Sequence, residues 1–228
     1  GEGKQGADVF ALAFGLVPEG KREKVFAALL GHLEKVNYHF DTGILATPLL
    51  LQVLTENGRA DLAYKLMNQR DFPSYGYLAD KKNNTLWETW NGDGNDEGCG
   101  HCHPMFGSVV AWFYHSLAGI KPDQSDPGMK HFYIEPMIVP DLKYCRATYD
   151  SQYGKISSDW KIDENGNLNL KIEVPANTSA TVIIPDWGGR TVLESGKPVS
   201  EVSNIVIDKV DSARMKVSSG VYHFVILK

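Results

Sequence analysis

Apolar positions follow two different periods along the chain, and the change between them falls near residue 125. In the first part they recur at helical spacing. Val25, Phe26, Leu29, Leu30, Leu33 and Val36 line one face of a segment whose other face carries Lys21, Arg22, Lys24, Glu34 and Lys35, which predicts an amphipathic, outward-facing helix. The segment 43–56 is apolar on every side, with Pro48 tolerable near a first turn and Asn57-Gly58 as a stop, and predicts a helix buried all round. The segment 59–69 is amphipathic again through Leu62, Leu66 and Met67, whereas 7–17 and 104–120 are apolar almost throughout. Such alternation requires two concentric layers, because every second helix must be covered on all its faces. An α/α toroid and an α-solenoid both satisfy it, and the lack of a fixed-period repeat favours the toroid. About five helices are visible at this spacing, too few to close a ring. The chain also enters an apolar helix directly after Gly1-Glu-Gly-Lys-Gln5, so it reads as the later part of something longer.

After Pro127 the period becomes two. Leu168, Leu170, Ile172 and Val174 alternate with Asn169, Lys171 and Glu173, and Ile156, Trp160 and Ile162 share one parity on the run before them. Asp163-Glu-Asn-Gly-Asn167 supplies turn chemistry between the two runs, and further short strands are predicted at 181–184, 205–207 and 221–227. Short strands with frequent turns and no intervening helices indicate an antiparallel β-sandwich. The turn-rich stretch Lys121-Pro-Asp-Gln-Ser-Asp-Pro-Gly128 sets the expected boundary. Residues 1–126 would form part of a helical toroid and 127–228 a β-sandwich.

Composition narrows the function classes. With 23 Lys and Arg against 28 Asp and Glu and a net charge of -5, there is no basic footprint for nucleic acid or for an anionic membrane. The longest apolar stretch, Ile44 to Leu51, is well short of the roughly 20 residues a bilayer span needs, and no secretory leader is recognisable. Three cysteines, Cys99, Cys102 and Cys145, make no complete disulfide framework and leave the redox compartment open. A periplasmic or extracellular location is preferred over a cytoplasmic one.

The chemistry concentrates between residues 71 and 103, a long segment that resists helix or strand assignment. Long irregular segments in compact domains are usually functional. This one is dense in Tyr75, Tyr77, Trp87, Glu88, Trp90, His101 and His103, with Asn84, Asn91, Asp93, Asp96 and Glu97 beside them. Aromatic rings cover the apolar faces of a sugar while carboxylates, amides and imidazoles bond its hydroxyls, so the segment suits a carbohydrate. The structural alternative is that Trp87 and Trp90 anchor a wandering loop. Cys99-Gly-His-Cys102-His103 spells the c-type haem attachment pattern and could hold zinc, but no second ligand pair stands at finger-like spacing. Asp93-Gly-Asn-Asp-Glu-Gly98 resembles the start of a calcium loop, yet Pro104 occupies the position of the closing glutamate. The expectation is therefore no metal and no cofactor.

An ordered set of motifs carries a resemblance. Asp41-Thr-Gly43, Leu62-Ala-Tyr64, Pro73-Ser-Tyr75-Gly76-Tyr77, Thr85-Leu-Trp87-Glu88, His103-Pro-Met-Phe106-Gly107-Ser108-Val109, Ala118-Gly-Ile120 and Pro127-Gly128 occur with the order and spacing of the C-terminal part of bacterial α-L-rhamnosidases of glycoside hydrolase family 78. The resemblance runs from about residue 5 to Pro185. It implies an (α/α)6 catalytic toroid followed by a C-terminal β-sandwich, with the first half of the toroid and any accessory β-domains outside this chain. It further implies an inverting hydrolase with Glu88 as general base and the general acid on the upstream segment. His103 would be a sugar-hydroxyl ligand and Trp87 part of the pocket wall, with Asp41 near the pocket. Two departures stand out: Cys102 where the family commonly has Asn, and Thr89 where an arginine often follows Trp-Glu. The function expected is release of terminal α-L-rhamnose by a longer parent, the isolated chain being inactive. Alternatives from other classes are a carbohydrate-binding or structural module whose carboxylates have decayed, and a metal or haem protein built on residues 99–103.

Overall fold

The computed structural model of the chain describes residues 4–81, 85–91, 100–184, 188–209 and 214–228. The chain divides into two compact units, residues 1–112 and 113–228. The division falls ahead of the turn-rich stretch expected to carry it. Residues 121 and 122 lie in a strand paired with residues 132 and 133, and 123–128 lead towards that partner, so the stretch belongs inside the second unit.

Among its described residues the first unit is helical: α1 (Gln5–Ala13), α2 (Arg22–Lys35), α3 (Ala46–Glu56), α4 (Ala60–Met67), α5 (Tyr75–Asp80), α6 (Pro104–Gly107) and α7 (Val110–Trp112). α3 is the hub and packs on α1, α4 and α7. It buries Ala46, Thr47, Leu50, Leu51, Val53 and Leu54, but Gln52 and Glu56 reach solvent one turn apart, joined by a 2.7 Å hydrogen bond. The helix expected to be buried all round therefore keeps one polar edge, which is where an i, i+4 pair can meet water. α2 buries Leu29 and Leu33 and exposes its charged face, as its pattern requires. α1 stops at Ala13 rather than running to residue 17, because Gly15 turns left-handed (φ 65°) and Pro18 follows; Phe14 and Leu16 are exposed. α5 lies inside the segment expected to be irregular. Its start is fixed by Ser74, whose hydroxyl accepts the Tyr77 N–H at 3.0 Å.

Among its described residues the second unit opens with a π-helical turn (Phe113–Leu117) and continues as one nine-stranded sheet. Its strands are β1 (Ile120–Pro122), β2 (His131–Ile134), β3 (Tyr144–Ser151), β4 (Gly154–Ile162), β5 (Leu168–Ile183), β6 (Val192–Glu194), β7 (Lys197–Pro198), β8 (Ile205–Lys209) and β9 (Arg214–Ile226). Every pairing is antiparallel except β2 with β5. β5 and β9 are paired along most of their length, with a register shift between Val174 and Ser179. Before the shift β5 lies between β4 and β9; after it, between β2 and β9. One sheet thus forms two arms, and both line a single apolar core that includes Phe132, Ile134, Trp160, Leu170, Val182 and Phe224. Trp160 is fully buried and donates its indole N–H to the Leu117 carbonyl at 2.7 Å; Ser158 donates to Ala118 at 2.6 Å. Buried polar groups satisfied in this way fix the approach to β1. Gly119 stands there by necessity: its φ is 78°, and a Cβ would lie 2.2 Å from the Glu135 carbonyl carbon.

Candidate active site

The site segment is tied down at its start by an imidazole. His39, buried after α2, has Nδ1 2.9 Å from the Val36 carbonyl and Nε2 2.8 Å from Asp71 Oδ1. An acceptor beside each nitrogen favours the doubly protonated, cationic form of the ring. Burial opposes that charge, but the Asp71 hydrogen bond, the Val36 carbonyl and the Asp71 charge together raise the His39 pKa above its ordinary value. The hydrogen bond from His39 is also the main cause of the lowered Asp71 pKa. The buried amide of Gln5 grips the next residues, donating to the His39 carbonyl and accepting the Asp41 N–H, each at 3.0 Å.

Next comes an aromatic knot. Trp90 stacks on Phe40 with centroids 5.0 Å apart, meets Phe106 at 4.4 Å, and lies edge-to-face with Tyr75 at 5.2 Å. Its indole N–H donates to the Thr42 carbonyl at 2.8 Å, and the Tyr75 hydroxyl donates to the Phe106 carbonyl at 2.8 Å. Burial pushes the Tyr75 phenol pKa well up, so the ring remains a neutral donor. Four separate stretches of chain are joined here, and the rings satisfy their own polar groups while doing it.

Outside the knot, residues 85–88 run against 100–103. The Glu88 N–H donates to the Gly100 carbonyl at 2.9 Å, the His103 N–H to Leu86 at 2.7 Å, and the Thr85 hydroxyl to the His101 carbonyl. The Gly100 N–H in turn donates to Glu88 Oε2 at 3.0 Å. Trp87 stacks on the His101 imidazole, centroids 3.9 Å apart and planes within 10°. A half-buried carboxylate, a stacked indole and two histidines therefore share one short ladder of hydrogen bonds. A carboxylate so held can accept a proton from water, and an aromatic face beside it can cover a sugar ring.

The expected site residues fall into three groups. Trp87, Glu88 and His103 meet in the ladder. His103 stands at the N-cap of α6 without using its side chain as a cap, and its buried Nδ1 has no hydrogen-bond partner among the described residues. Trp90 belongs to the knot, and Asp41 is exposed immediately after Phe40, with its backbone held by Gln5. Tyr77 is half-buried on α5, edge-to-face with Phe72 at 5.3 Å and with the Lys81 ammonium 5.0 Å over its ring. Asn84, Asp93, Asp96, Glu97 and Cys99 lie outside the described residues, and with them the calcium-like spelling and the first cysteine of the haem-like one; Cys102 is a free, exposed thiol. Among the described residues no three His, Cys, Asp or Glu side chains gather as a metal site, and no helix is long and apolar enough to cross a membrane. Gln5, His39, Phe40 and Gly100 hold the site and escaped the sequence reading. The signal for Phe40 was its place beside the Asp41-Thr-Gly43 motif; a glycine used for its N–H leaves no signal.

Residues 1–117 match the bacterial alpha-L-rhamnosidase 6 hairpin glycosidase domain, and residues 119–197 the bacterial alpha-L-rhamnosidase C-terminal domain. An alpha-L-rhamnosidase of Streptomyces avermitilis is 38% identical over 187 residues, which is 79% of this chain and 18% of that protein. One from Formosa agariphila is 32% identical over 224 residues, 95% of this chain and 24% of that protein. Of solved structures, the alpha-L-rhamnosidase from Dictyoglumus thermophilum matches with a TM-score of 0.87 and 34% identity, over 99% of this chain and 26% of its own. The Streptomyces avermitilis alpha-L-rhamnosidase complexed with L-rhamnose matches with a TM-score of 0.83 and 34% identity, over 97% of this chain and 21% of its own. The chain thus spans between 18% and 26% of the length of these relatives. With over half of its residues matched by the six-hairpin domain and much of the rest by the C-terminal domain, the chain belongs to the bacterial α-L-rhamnosidase six-hairpin glycosidase family.

Proposed function

We propose that this chain is the C-terminal portion of an inverting glycoside hydrolase that releases terminal α-L-rhamnose, with Glu88 as its general base. The observation that carries the reading is the Glu88 carboxylate, held by a backbone N–H beside the Trp87 ring in a chain of the α-L-rhamnosidase family. A water bound at the other carboxylate oxygen would give its proton to Glu88 as its oxygen bonds to the anomeric carbon. The bond from that carbon to the leaving oxygen breaks on the opposite face, and a carboxylic acid on the upstream part of the parent protein protonates the leaving oxygen. The two carboxyl groups would stand about 6.5–9.5 Å apart to admit the water. Trp87 would cover an apolar face of the sugar, while His103, Asp41 and Tyr77 bond its hydroxyls. Trp90 would serve the pocket by holding the segment that carries Glu88.

The test is turnover of an aryl α-L-rhamnoside by the full-length parent, wild type against Glu88→Gln, with the first-formed anomer followed by NMR. Loss of the base should lower the rate about 10²–10⁴-fold in a folded variant, and the wild type should release the inverted anomer. Retention of configuration, or undiminished turnover by Glu88→Gln, would remove Glu88 from this role. Sugar binding without any wild-type turnover would make the protein a binding module.

A further inference from the structure

Glu88 and Gly100 form a closed two-residue ring: the Glu88 N–H donates to the Gly100 carbonyl at 2.9 Å, and the Gly100 N–H donates to Glu88 Oε2 at 3.0 Å. The side chain thus folds back onto the same residue that holds its backbone. Among the described residues Oε2 accepts this hydrogen bond and Oε1 accepts none. A Cβ on Gly100 would lie 3.2 Å from Glu88 Oε2 and 3.7 Å from His103 Cδ2. Both side chains therefore close over the bare α-carbon of this glycine. The φ of Gly100 is outside the left-handed region, so backbone conformation does not demand glycine here. A Cβ here would instead press on the Glu88 carboxylate, which would have to give by a few tenths of an ångström. The neighbours hold the glycine in place: the Trp87–His101 stack on one side, and the His103 N–H on the Leu86 carbonyl on the other.

We propose that Gly100 is the positioning residue for the Glu88 carboxylate and for the His103 ring beside it. This rests on the reading of Glu88 as general base. A base that removes a proton from water must hold one geometry through the reaction, and displacement of a reacting group by about 1 Å can cost on the order of 10²-fold in rate. The Gly100 N–H supplies the hold and the missing side chain supplies the room. Neither contribution touches substrate, so Gly100 acts through Glu88 and His103.

The test uses the full-length enzyme and an aryl α-L-rhamnoside, with wild type, Gly100→Ala, Glu88→Asp, the double variant and Glu88→Gln compared under one set of conditions. Gly100→Ala is a mild change, because the closest atom it meets is the end of a flexible side chain. It should lower kcat about 10- to 100-fold with KM changed far less. On the Glu88→Asp background, where the shorter carboxylate has already left the N–H, the same Ala should cost much less than on wild type, because residues in contact do not act independently. A merely structural loss would multiply through both backgrounds alike, and that outcome overturns the proposal. So does wild-type kcat in Gly100→Ala while Glu88→Gln is inactive, which leaves the general base standing. Activity in Glu88→Gln instead removes the base itself. Should Gly100→Ala fail to fold, amide exchange around residue 100 reads the same hydrogen bond: it should be faster in Glu88→Ala than in wild type, and equal exchange overturns the proposal.

Discussion

The sheet unit and the site segment of the helical unit are held by opposite means. In the sheet, Phe132, Trp160, Leu170, Val182 and Phe224 are essentially dry, and the polar groups among them are paired inside the core. In the site segment, Trp87, Glu88, Trp90 and His103 are only half-buried, and order comes from ring contacts and single hydrogen bonds to backbone. Apolar burial distributes stability over many contacts, whereas a carboxylate on one N–H depends on one. The contrast teaches where a substitution should be felt. A change in the sheet should register as stability with its chemistry intact, and a change in the loop as lost rate with much of the fold intact.

Trp160→Ala is the strongest challenge to that division. Removing a fully buried indole should destabilise the sheet unit by about 3–5 kcal/mol, read as faster amide exchange across β4, β5 and β9. Turnover by the fraction that remains folded should be close to wild type; a specific kcat collapse there would break the comparison. Trp90→Ala is the converse. Its ring is half-buried, so the loss should be about 2–3 kcal/mol, confined to exchange in the segments around Phe40, Tyr75 and Phe106. kcat of the full-length enzyme should nevertheless fall more than in Trp160→Ala, and equal effects on rate would erase the distinction.

The smallest effect should be the pH dependence of the His39–Asp71 pair. His39 has a raised pKa in the folded chain, so its contribution is fully present below its unfolded value and is lost as pH rises through the raised one. Asp71 has a lowered pKa, so its part is present above its unfolded value and is lost as pH falls through the lowered one. The Tm difference between wild type and Asp71→Asn should therefore be widest in the mildly acidic range and close at both extremes. A difference that stays constant across pH would show that the pair contributes no ionic stabilisation.

Much of the fold is legible from periodicity because burial on one face writes the period into the sequence. Leu29 and Leu33 in α2, and Leu168 to Val174 in β5, are buried as their spacing requires. Elements fail to show when they are short or when the period breaks. α5 has six residues, too few for a helical repeat, and only Ser74 marks its start. β9 buries Met215 and Val217 but then Tyr222, Phe224 and Ile226, so its parity flips near Gly220 and only the later half reads as a strand. β5 reads as two strands because Pro175-Ala-Asn177 looks like a turn; the strand continues through a register shift there, with Asn177 in the left-handed region at φ 62°. The parallel neighbour β2 is set by pairing across 48 residues, from His131 to Ser179, which no local pattern records. In the candidate site, Trp87, Glu88 and His103 stand out in the sequence because sugar chemistry selects residue type, and the structure brings them into one ladder. Gln5, His39 and Gly100 were missed because they act through amide, imidazole and backbone contacts at long range.

The place of β9 in the sheet also bears on the order in which the chain can fold. It comes last in sequence among the strands described here, yet it pairs with β5, β6 and β8. During synthesis the long strand β5 emerges with one edge open, β6 emerges with only the two-residue β7 to join, and β8 emerges with no strand partner among the described residues, until residues 214–226 leave the ribosome. Most of these pairings are distant in sequence, so the sheet must close late and cooperatively. Until then the β5 edge is a template for pairing with another chain, the hazard most exposed in a nascent β-domain.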